Sequence, residues 1–424
     1  MLQINFIRQN RELVKERLAV KNFANPGLID ELLSSDEEIR KLKSMTESMQ
    51  ATINSLSKEI GMLMAKGEKD QAEARKTEVS DLKSQLSEKN TALAQLEELF
   101  IKQLITLPNL PHTSVPKGKT PAENEVVREG GVMPVLPAGA QPHWELIKQY
   151  DLIDFETGAK ITGSGFPLYK GKGARLQRAL IQYFLDYNTG AGYTEYLPPL
   201  MVNEATAYGT GQLPDKEGQM YAITADGFYM IPTAEVPVTN VYRDEIVKES
   251  DLPIRMTSYT PCFRREAGSF GSDVRGLNRV HQFDKVEIIQ MTKPENSYHT
   301  LEEMVNHVER LLQFLKLPYR ILRLCGGDMS FTSALTYDFE VFSAAQQKWL
   351  EVSSVSNFES FQANRMKIRY KDENGKPQLV HTLNGSSLAL PRIVAALLEN
   401  NQTSEGIKLP EVLHTYFGAP MIGS

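Results

Sequence analysis

The sequence predicts an α+β protein, in which an antiparallel helical hairpin precedes a domain built on an antiparallel β-sheet flanked by helices. Three observations support this fold class. Apolar residues repeat in heptads through the first 110 residues, which is typical of a coiled coil. A proline-rich stretch follows them. From about residue 143 onward, helical runs mix with short strands in hairpin-like runs rather than strand–helix–strand repeats, which favours antiparallel pairing.

The heptad pattern divides into two apolar series that predict two helices. Their spacings alternate three and four once Ser35, Thr46 and Lys89 are counted as polar positions of the same seam. Residues 65–70 interrupt the pattern and predict a turn, so the helices must be antiparallel neighbours over about residues 28–104. We favour a projecting arm over two helices packed flat on a core, because a flat helix shows a wider apolar stripe. The two series are Leu32, Ile39, Leu42, Met49, Ile53, Leu56, Ile60 and Leu63, and then Val79, Leu82, Leu86, Leu93, Leu96 and Phe100.

The composition bounds the class of protein. With 424 residues, of which 41% are hydrophobic and 24% charged, the chain is long enough for two or three globular domains. It has no run of about 18 apolar residues and no secretory signal, so we expect no membrane span and a cytoplasmic location. Cys262 and Cys325 show no metal-ligand spacing, and we expect both to be reduced. The net charge of −6 means that any nucleic-acid binding must be local.

Residues 261–287 give the clearest indication of a binding site in the sequence. They read as two strands joined by a loop with glycines and arginines, and alternate side chains of a strand share a face. Guanidinium groups suit phosphates, an aromatic ring suits a base and a carboxylate suits an ammonium group, so the segment predicts a nucleotide site. A charged hairpin with a solvated face is the alternative. The residues expected to share a face are Arg264 with Glu266 on the first strand and His281, Phe283, Lys285 and Glu287 on the second, with Arg275 and Arg279 near the loop.

This segment resembles motif 2 of the class II aminoacyl-tRNA synthetases, in the form found in the seryl-tRNA synthetases. The resemblance lies in the order Phe-Arg-X-Glu, loop, arginine and His-Gln-Phe. The chain has neither GxGxxG after a strand nor GxxxxGK[ST], which argues against Rossmann and P-loop nucleotide sites. Residues 192–203 resemble motif 1, with Pro199 as the motif proline, and residues 381–392 resemble motif 3. Residues 1–10 and 142–146 resemble further segments of the family, so the resemblance covers essentially the whole chain.

The resemblance implies a division of the chain and a set of site residues. It implies a tRNA-binding domain over residues 1–110, a proline-rich connector over 111–142 and a class II catalytic domain over 143–424. The expected serine pocket comprises Thr233, Ala234, Glu235, Arg264, Glu287, Asn384 and Ser386. The expected ATP site comprises Arg264, Arg265, Glu266, Val280, Phe283, Glu351, Val352, Ser353, Ser354 and Arg392. Arg264, Glu266 and Arg392 are the expected catalytic residues, and Glu351 and Ser354 are the expected Mg²⁺ ligands, whose oxygens suit a hard cation.

The function that the resemblance implies is a serine–tRNA ligase. Such an enzyme activates L-serine with ATP and transfers it to tRNA(Ser), and the family commonly also serves tRNA(Sec). The resemblance further implies a homodimer formed through motif 1. A ligase that loads a carrier protein and a coiled-coil scaffold with a degenerate site are the alternatives. Ile147, Gly165 and Asn364 differ from the residues usual in the family at these positions, and we expect them to affect only local surface and tRNA-end contacts.

Overall fold

The computed structural model describes residues 1–215, 217–267 and 275–423. The chain forms two units, which are Met1–Ala19 with Phe23–Pro108, and Val20–Asn22 with Asn109–Ser424. The helices are α1 (Ile4–Gln9), α2 (Arg11–Val20), α3 (Leu28–Lys66), α4 (Lys69–Leu104), α5 (His143–Gln149), α6 (Phe155–Ile161), α7 (Gly171–Gly190), α8 (Glu204–Thr210), α9 (Glu235–Thr239), α10 (Ser297–Phe314), α11 (Phe361–Met366), α12 (Leu390–Asn400) and α13 (His414–Phe417). The strands are β1 (Glu125–Gly130), β2 (Ile153–Asp154), β3 (Leu168–Tyr169), β4 (Thr194–Glu195), β5 (Met201–Asn203), β6 (Ala222–Ile223), β7 (Phe228–Met230), β8 (Ile246–Val247), β9 (Ile254–Phe263), β10 (Gln282–Thr292), β11 (Tyr319–Arg323), β12 (Leu335–Ser343), β13 (Lys348–Asn357), β14 (Arg369–Lys371), β15 (Pro377–Leu379), β16 (His381–Ala389), β17 (Ile407–Lys408) and β18 (Met421–Ile422).

The first unit contains the long helical hairpin that the heptads predict. Helix α3 has 39 residues, so it extends about 58 Å at 1.5 Å per residue, and it packs along α4. The predicted seam residues Ile53, Leu56 and Val79 are buried between the two helices. Helix α3 ends at Gly67, whose φ of +80° favours a residue without a Cβ atom. The predicted hairpin over about residues 28–104 is confirmed.

The second unit is built on a sheet in which, among the described residues, eight strands follow the order β1-β11-β12-β13-β16-β10-β9-β4. Neighbouring strands are antiparallel except at the edge, where β4 pairs with β9 in parallel. The predicted antiparallel sheet is confirmed. Strand β1 lies inside the predicted proline-rich connector and pairs with β11, so part of that segment belongs to the sheet.

Helices cover one face of this sheet. Helices α7, α10 and α12 pack on its central strands and bury a large apolar core. Val286, Ile288 and Val355 point from the strands into that core, and the side chains between them along each strand point to the opposite face. Each fully buried aliphatic side chain contributes roughly 1.5–3 kcal/mol, so this packing fixes the positions of the strands. Two of the helical runs in the sequence after residue 143, at 174–187 and 301–315, correspond to α7 and α10.

The described part of the chain contains no helix that is both long and apolar enough to cross a membrane.

Candidate active site

The sheet face opposite α7, α10 and α12 carries polar side chains, and the strand register decides which ones. In the β10–β16 pair, Glu287 lies opposite Ser386 and Ile289 lies opposite Asn384. In the β13–β16 pair, Ser356 lies opposite Asn384. Residues that lie opposite each other share a face, as do residues two apart on one strand. This face, which we call the polar face, therefore carries Phe283, Lys285, Glu287, Ser354, Ser356, Asn384 and Ser386.

A buried polar pocket lies on the polar face around Glu287. The Lys285 ammonium is 2.7 Å from Glu287 Oε2 and donates a hydrogen bond of 2.9 Å to the Thr233 hydroxyl. The hydroxyls of Thr233 and Ser386 each lie 3.5 Å from the same Glu287 oxygen. All four side chains are buried. Among the described residues, the buried Asn384 Nδ2 atom lacks a hydrogen-bond partner, so the pocket suits a small polar ligand.

Glu235 is the second carboxylate of this pocket. It begins α9, directly after the buried Ala234, and its Oε1 accepts a 2.6 Å hydrogen bond from Gln362. Burial and the charge of Glu287 raise the pKa of Glu235 to about 7, against the opposing effects of Gln362 and Lys285. Within the described residues, Glu235 forms no ion pair, whereas Glu287 is paired with Lys285. A cationic group of a ligand would therefore stabilise the ionised form of Glu235 more than that of Glu287.

Arg264 and Phe283 lie side by side next to this pocket. The Arg264 guanidinium carbon is 5.3 Å from the centroid of the Phe283 ring, a cation–π contact. The Arg264 backbone N–H donates to the His281 carbonyl at 2.9 Å, and Arg264 Nε lies 3.4 Å from the Pro232 carbonyl. A cation and an aromatic ring are thus held together where β9 ends beside the start of β10.

Glu266 does not share a strand face with Arg264, and that prediction was wrong. Strand β9 ends at Phe263, and Glu266 has a φ of +48°, so side-chain alternation no longer applies. Its carboxylate instead forms a 3.0 Å ion pair with Arg279. The Arg265 backbone N–H donates to the Gln219 carbonyl, at 2.9 Å, and Val280 is buried. The predicted loop between the strands includes residues 268–274, which lie outside the described residues.

Arg392 lies in the first turn of α12, as the sequence predicted. Its Nε donates a 3.0 Å hydrogen bond to the Asn278 carbonyl, and its Nη1 donates one of 2.7 Å to the Glu351 carbonyl. The Glu351 carboxylate is 3.6 Å from the same guanidinium. Because the N-terminus of a helix carries a partial positive charge, this end of α12 suits a polyanion.

A β-bulge brings Glu351 and Ser354 to the same face, although residues three apart on a regular strand point to opposite faces. The β12–β13 register places Glu340 opposite Glu351 and Asp338 opposite Ser354, with an irregularity between Phe339 and Glu340. Since Asp338 and Glu340 are two apart, their partners share a face. The residues between the predicted ligands are used differently: Val352 packs in the core, and the buried Ser353 hydroxyl donates to the Ser386 carbonyl at 2.7 Å.

The oxygen atoms around Ser354 fit a hard divalent cation. Burial and the charge of Glu351 raise the pKa of Asp338 well above its ordinary range, and Asp338 Oδ1 is buried without a hydrogen-bond partner. Within the described residues, no group of three or more His, Cys, Asp or Glu side chains could hold a metal ion alone. A hard divalent cation can be held by one or two protein oxygens, with phosphates and water completing its coordination.

Several site residues could not be assigned a role from the sequence. Lys285 was placed on the correct strand face, but its pairing with Glu287 and Thr233 needs the structure. No local sequence pattern marks Gln362 or Asn278 as a site residue. Gln362 contacts the site from α11, and Asn278 contacts it from the segment just before β10.

A buried histidine also supports the segment that holds Arg392. His143 Nδ1 is 2.7 Å from Glu399 on α12, and His143 Nε2 accepts from the Leu277 N–H at 2.9 Å. Burial alone would raise the pKa of Glu399, but hydrogen bonds from His143 and Ser343 lower that pKa below its usual value. This network fixes residue 277, next to the carbonyl that binds Arg392. Its members lie up to 256 positions apart, so no sequence pattern reveals them.

Two of the three residues that differ from the usual family sequence make interior contacts, whereas the sequence predicted effects on local surface and tRNA-end contacts only. Ile147 is buried in the main core. Gly165 has a φ of +84°, accepts a 2.9 Å hydrogen bond from the His281 N–H, and would place a Cβ atom 2.4 Å from the His281 ring. Asn364 lies on α11, next to Arg365, whose guanidinium binds the carbonyls of Tyr208 and Leu213.

Comparisons with known proteins agree with this geometry. The family model of the class II tRNA synthetase core domain (G, H, P, S and T) matches residues 221–401, which contain the whole polar face, so the second unit has a class II synthetase core. The model of the seryl-tRNA synthetase N-terminal domain matches residues 1–111.

Similar whole proteins narrow the family. The serine–tRNA ligase of Salinibacter ruber is 52% identical over all of both chains, and that of Methylacidiphilum infernorum is 49% identical over 98% of this chain and 99% of its own. The crystal structure of seryl-tRNA synthetase from Pyrococcus horikoshii complexed with ATP has a TM-score of 0.93 at 34% identity, covering 100% of this chain and 99% of that one. The chain belongs to the seryl-tRNA synthetase family, the class II serine–tRNA ligases, as its motifs predicted.

Proposed function

We propose that this chain activates L-serine with ATP on the polar face and transfers the seryl group to the 3′ end of tRNA(Ser). The observation that carries the assignment is the pairing of a small buried pocket with an adjacent cation and aromatic ring. Thr233, Glu235 and Glu287 form the pocket, and Arg264 with Phe283 adjoins it. A small polar amino acid and a nucleotide then meet at Arg264.

The reaction on this face needs positioning and charge stabilisation rather than a general base. The serine carboxylate is ionised at pH 7 and attacks the α-phosphate of ATP in line, which gives seryl-adenylate and pyrophosphate. Arg264 neutralises the α-phosphate and contacts the serine carboxylate, while Arg392 binds the γ-phosphate end. Phe283 stacks on the adenine, Arg265 and Glu266 contact the nucleotide, and the backbone near Val280 reads the edge of the base.

We also propose that Mg²⁺ accompanies ATP on Glu351 and Ser354, where a divalent cation would neutralise phosphate charge. The bulge that brings these two residues to one face, and the unpartnered oxygen of Asp338, support this assignment. The backbone of Val352 and Ser353 completes this edge of the ATP site, since their side chains are buried elsewhere.

The pocket explains a preference for serine. Glu235 receives the substrate ammonium because it is the pocket carboxylate without a cation, next to the small Ala234. Glu287, Ser386 and Asn384 surround the substrate hydroxyl. Alanine would leave these buried polar groups unpaired, which costs about 1–3 kcal/mol per group, and threonine has an additional methyl group to accommodate.

The helical hairpin within residues 1–110 is the proposed tRNA-binding arm. Residues 27–110 contain 11 Lys and Arg against 15 Asp and Glu, so bulk attraction to RNA does not explain binding. Recognition by shape suits a rigid hairpin and a folded RNA, and tRNA(Sec) is proposed as a second substrate on the same basis. Residues 111–142 are the proposed connector and residues 143–424 the catalytic domain. The free cysteines Cys262 and Cys325 support a cytoplasmic location.

A second copy of this chain is the proposed partner of the motif 1 segment, 192–203. Strand β4 is one edge of the main sheet, and in the segment that follows it Leu197 is 85% exposed and Met201, the first residue of β5, is 51% exposed. Exposed apolar side chains at an open sheet edge are typical of an interface. We expect Leu197→Asp to lower the mass measured by light scattering from that of a dimer to that of a monomer. An unchanged mass would contradict this interface.

The activation step is tested by amino-acid-dependent exchange of pyrophosphate into ATP with purified protein and Mg²⁺, using each of the twenty amino acids. We expect exchange with serine alone. A preference for glycine or alanine would indicate a carrier-loading ligase, and no exchange with any amino acid would contradict the proposed activity.

A further inference from the structure

Gln362 lies behind the proposed amino-acid pocket and uses all of its polar atoms there. It belongs to α11, and its side chain is only 1% exposed. Its Nε2 group donates to Glu235 Oε1 at 2.6 Å and to the Thr210 carbonyl at 3.2 Å. Its Oε1 accepts a 2.7 Å hydrogen bond from the Thr382 hydroxyl on β16.

These partners determine the orientation of the Gln362 amide. A rotated amide would place Oε1 against the Glu235 carboxylate and the Thr210 carbonyl, which are both acceptors, and Nε2 against Thr382. The donor end therefore faces Glu235, and the Thr382 hydroxyl keeps it there. A carboxylate that accepts a hydrogen bond from a fixed donor is both oriented and favoured in its ionised form.

The charges that face Glu235 make this donor important. Glu287, from β10, opposes ionisation of Glu235, and Lys285, from the same strand, favours it. Lys285 is already bound to Glu287 and Thr233, and the Asn384 side chain favours ionisation of Glu235 less than Gln362 does. The contact that favours the ionised form of Glu235 most is therefore the Gln362 amide. Without it, the buried carboxyl would be protonated more readily.

We propose that Gln362 is a positioning residue for amino-acid binding, which holds Glu235 as an oriented carboxylate for the substrate ammonium, with Thr382 fixing the amide. This inference rests on the proposed role of Glu235 as the ammonium acceptor. It adds Gln362, which lies outside the motifs, and Thr382, a residue of the motif 3 segment with no role assigned above, to the determinants of serine affinity.

The test measures kcat/KM for serine by pyrophosphate exchange at saturating ATP from pH 6 to 8.5. Because burial and the charge of Glu287 raise the pKa of Glu235 to about 7, kcat/KM for serine should rise with pH through this range in the unchanged protein. Gln362→Leu raises the pKa of Glu235 further, so its carboxylate is lost at a higher pH. We expect KM for serine to rise more than tenfold at pH 7 and KM for ATP to change less than twofold. The rise of kcat/KM for serine should move to a higher pH.

Gln177→Leu is the matched control. Gln177 is also buried and donates a 2.7 Å hydrogen bond to a carboxylate, Asp284, but from α7 on the helix-covered face. We expect an unchanged serine KM and pH profile for it. Equal losses in the two variants, or a Gln362→Leu variant with an unshifted pH profile, would show that Gln362 only packs the core and would overturn the inference.

Three further variants separate the inference from the function on which it rests. Thr382→Val frees the amide without removing it, so it should move the pH profile in the same direction by less, and Thr382→Ser should restore the unchanged profile. Glu235→Gln should abolish serine use at every pH. If Glu235→Gln keeps its serine affinity, the proposed pocket is wrong; if Glu235→Gln fails while Gln362→Leu behaves like the unchanged protein, only the inference is wrong.

Discussion

The helical hairpin and the polar face of the sheet are specified by the sequence in different ways. In the hairpin, α3 and α4 are joined by Gly67 and Glu68, and a single period of apolar residues determines their pairing. On the polar face, residues from 233 to 392 meet through strand register, and a shift of one residue would move a whole strand's side chains to the wrong face. The hairpin therefore tolerates local change, whereas the site depends on long-range geometry.

The largest effect is expected from Arg264→Ala on the polar face. Loss of the cation proposed to neutralise the α-phosphate should lower kcat/KM in serine-dependent exchange by about 10³-fold. Arg264→Lys should recover only part of this, because an ammonium cannot reproduce the planar fork of the guanidinium. Arg178→Ala, an exposed position on α7, is the control and should behave like the unchanged protein. Full activity of Arg264→Ala would contradict the placement of the phosphate.

Shortening the hairpin should distinguish the proposed role of the hairpin from that of the polar face. Replacing residues 53–84, the end of the hairpin, with a short glycine-containing turn should lower aminoacylation of tRNA(Ser) by about 10²-fold, on the scale of a lost RNA contact surface. Serine-dependent exchange should remain within twofold, because no residue of the polar face is touched. Normal aminoacylation by the shortened protein would remove the proposed role of the arm.

Glu351→Ala should have a smaller effect that depends on the metal concentration. Removing one of two proposed ligands should raise the Mg²⁺ concentration for half-maximal exchange by about tenfold. Excess Mg²⁺ should then restore part of the activity. Glu340→Ala, whose carboxylate pairs with Arg320, is the neighbouring control. An identical Mg²⁺ dependence for Glu351→Ala and the unchanged protein would exclude this ligand.

The smallest effects are expected from two glycines of the hairpin. Gly67 has a φ of +80°, so Gly67→Ala should destabilise the protein by about 1 kcal/mol. Gly61 lies within α3 with open space around its Cβ position, so Gly61→Ala should stabilise it by about 0.5–1 kcal/mol. The free energy of unfolding in denaturant, measured for each variant and for the unchanged protein, gives both effects. Changes of the same sign would contradict the left-handed turn at Gly67.

The sequence predicted the parts of the molecule that depend on local order. The heptads gave the hairpin, and the alternation in 281–287 placed Lys285 and Glu287 on one face. The motifs identified the family and the candidate residues. Alternation failed at Glu266, because the strand ends three residues earlier and the backbone turns left-handed.

Other features could not be predicted because they depend on contacts distant in the sequence. Glu351 and Ser354 share a face only because of a bulge, which is defined by the partner strand β12. The hydrogen bond between Gln362 and Glu235 joins residues 127 positions apart, and that between His143 and Glu399 joins residues 256 apart. Such pairs have no local pattern.

The most direct test of the polar face as the serine-activating site is a crystal structure with a non-hydrolysable seryl-adenylate analogue. The proposed site predicts the analogue's ammonium within hydrogen-bond distance of Glu235, its serine hydroxyl beside Glu287 and Ser386, and its adenine against Phe283. An analogue bound elsewhere, or one whose seryl group contacts neither Glu235 nor Glu287, would contradict the assignment.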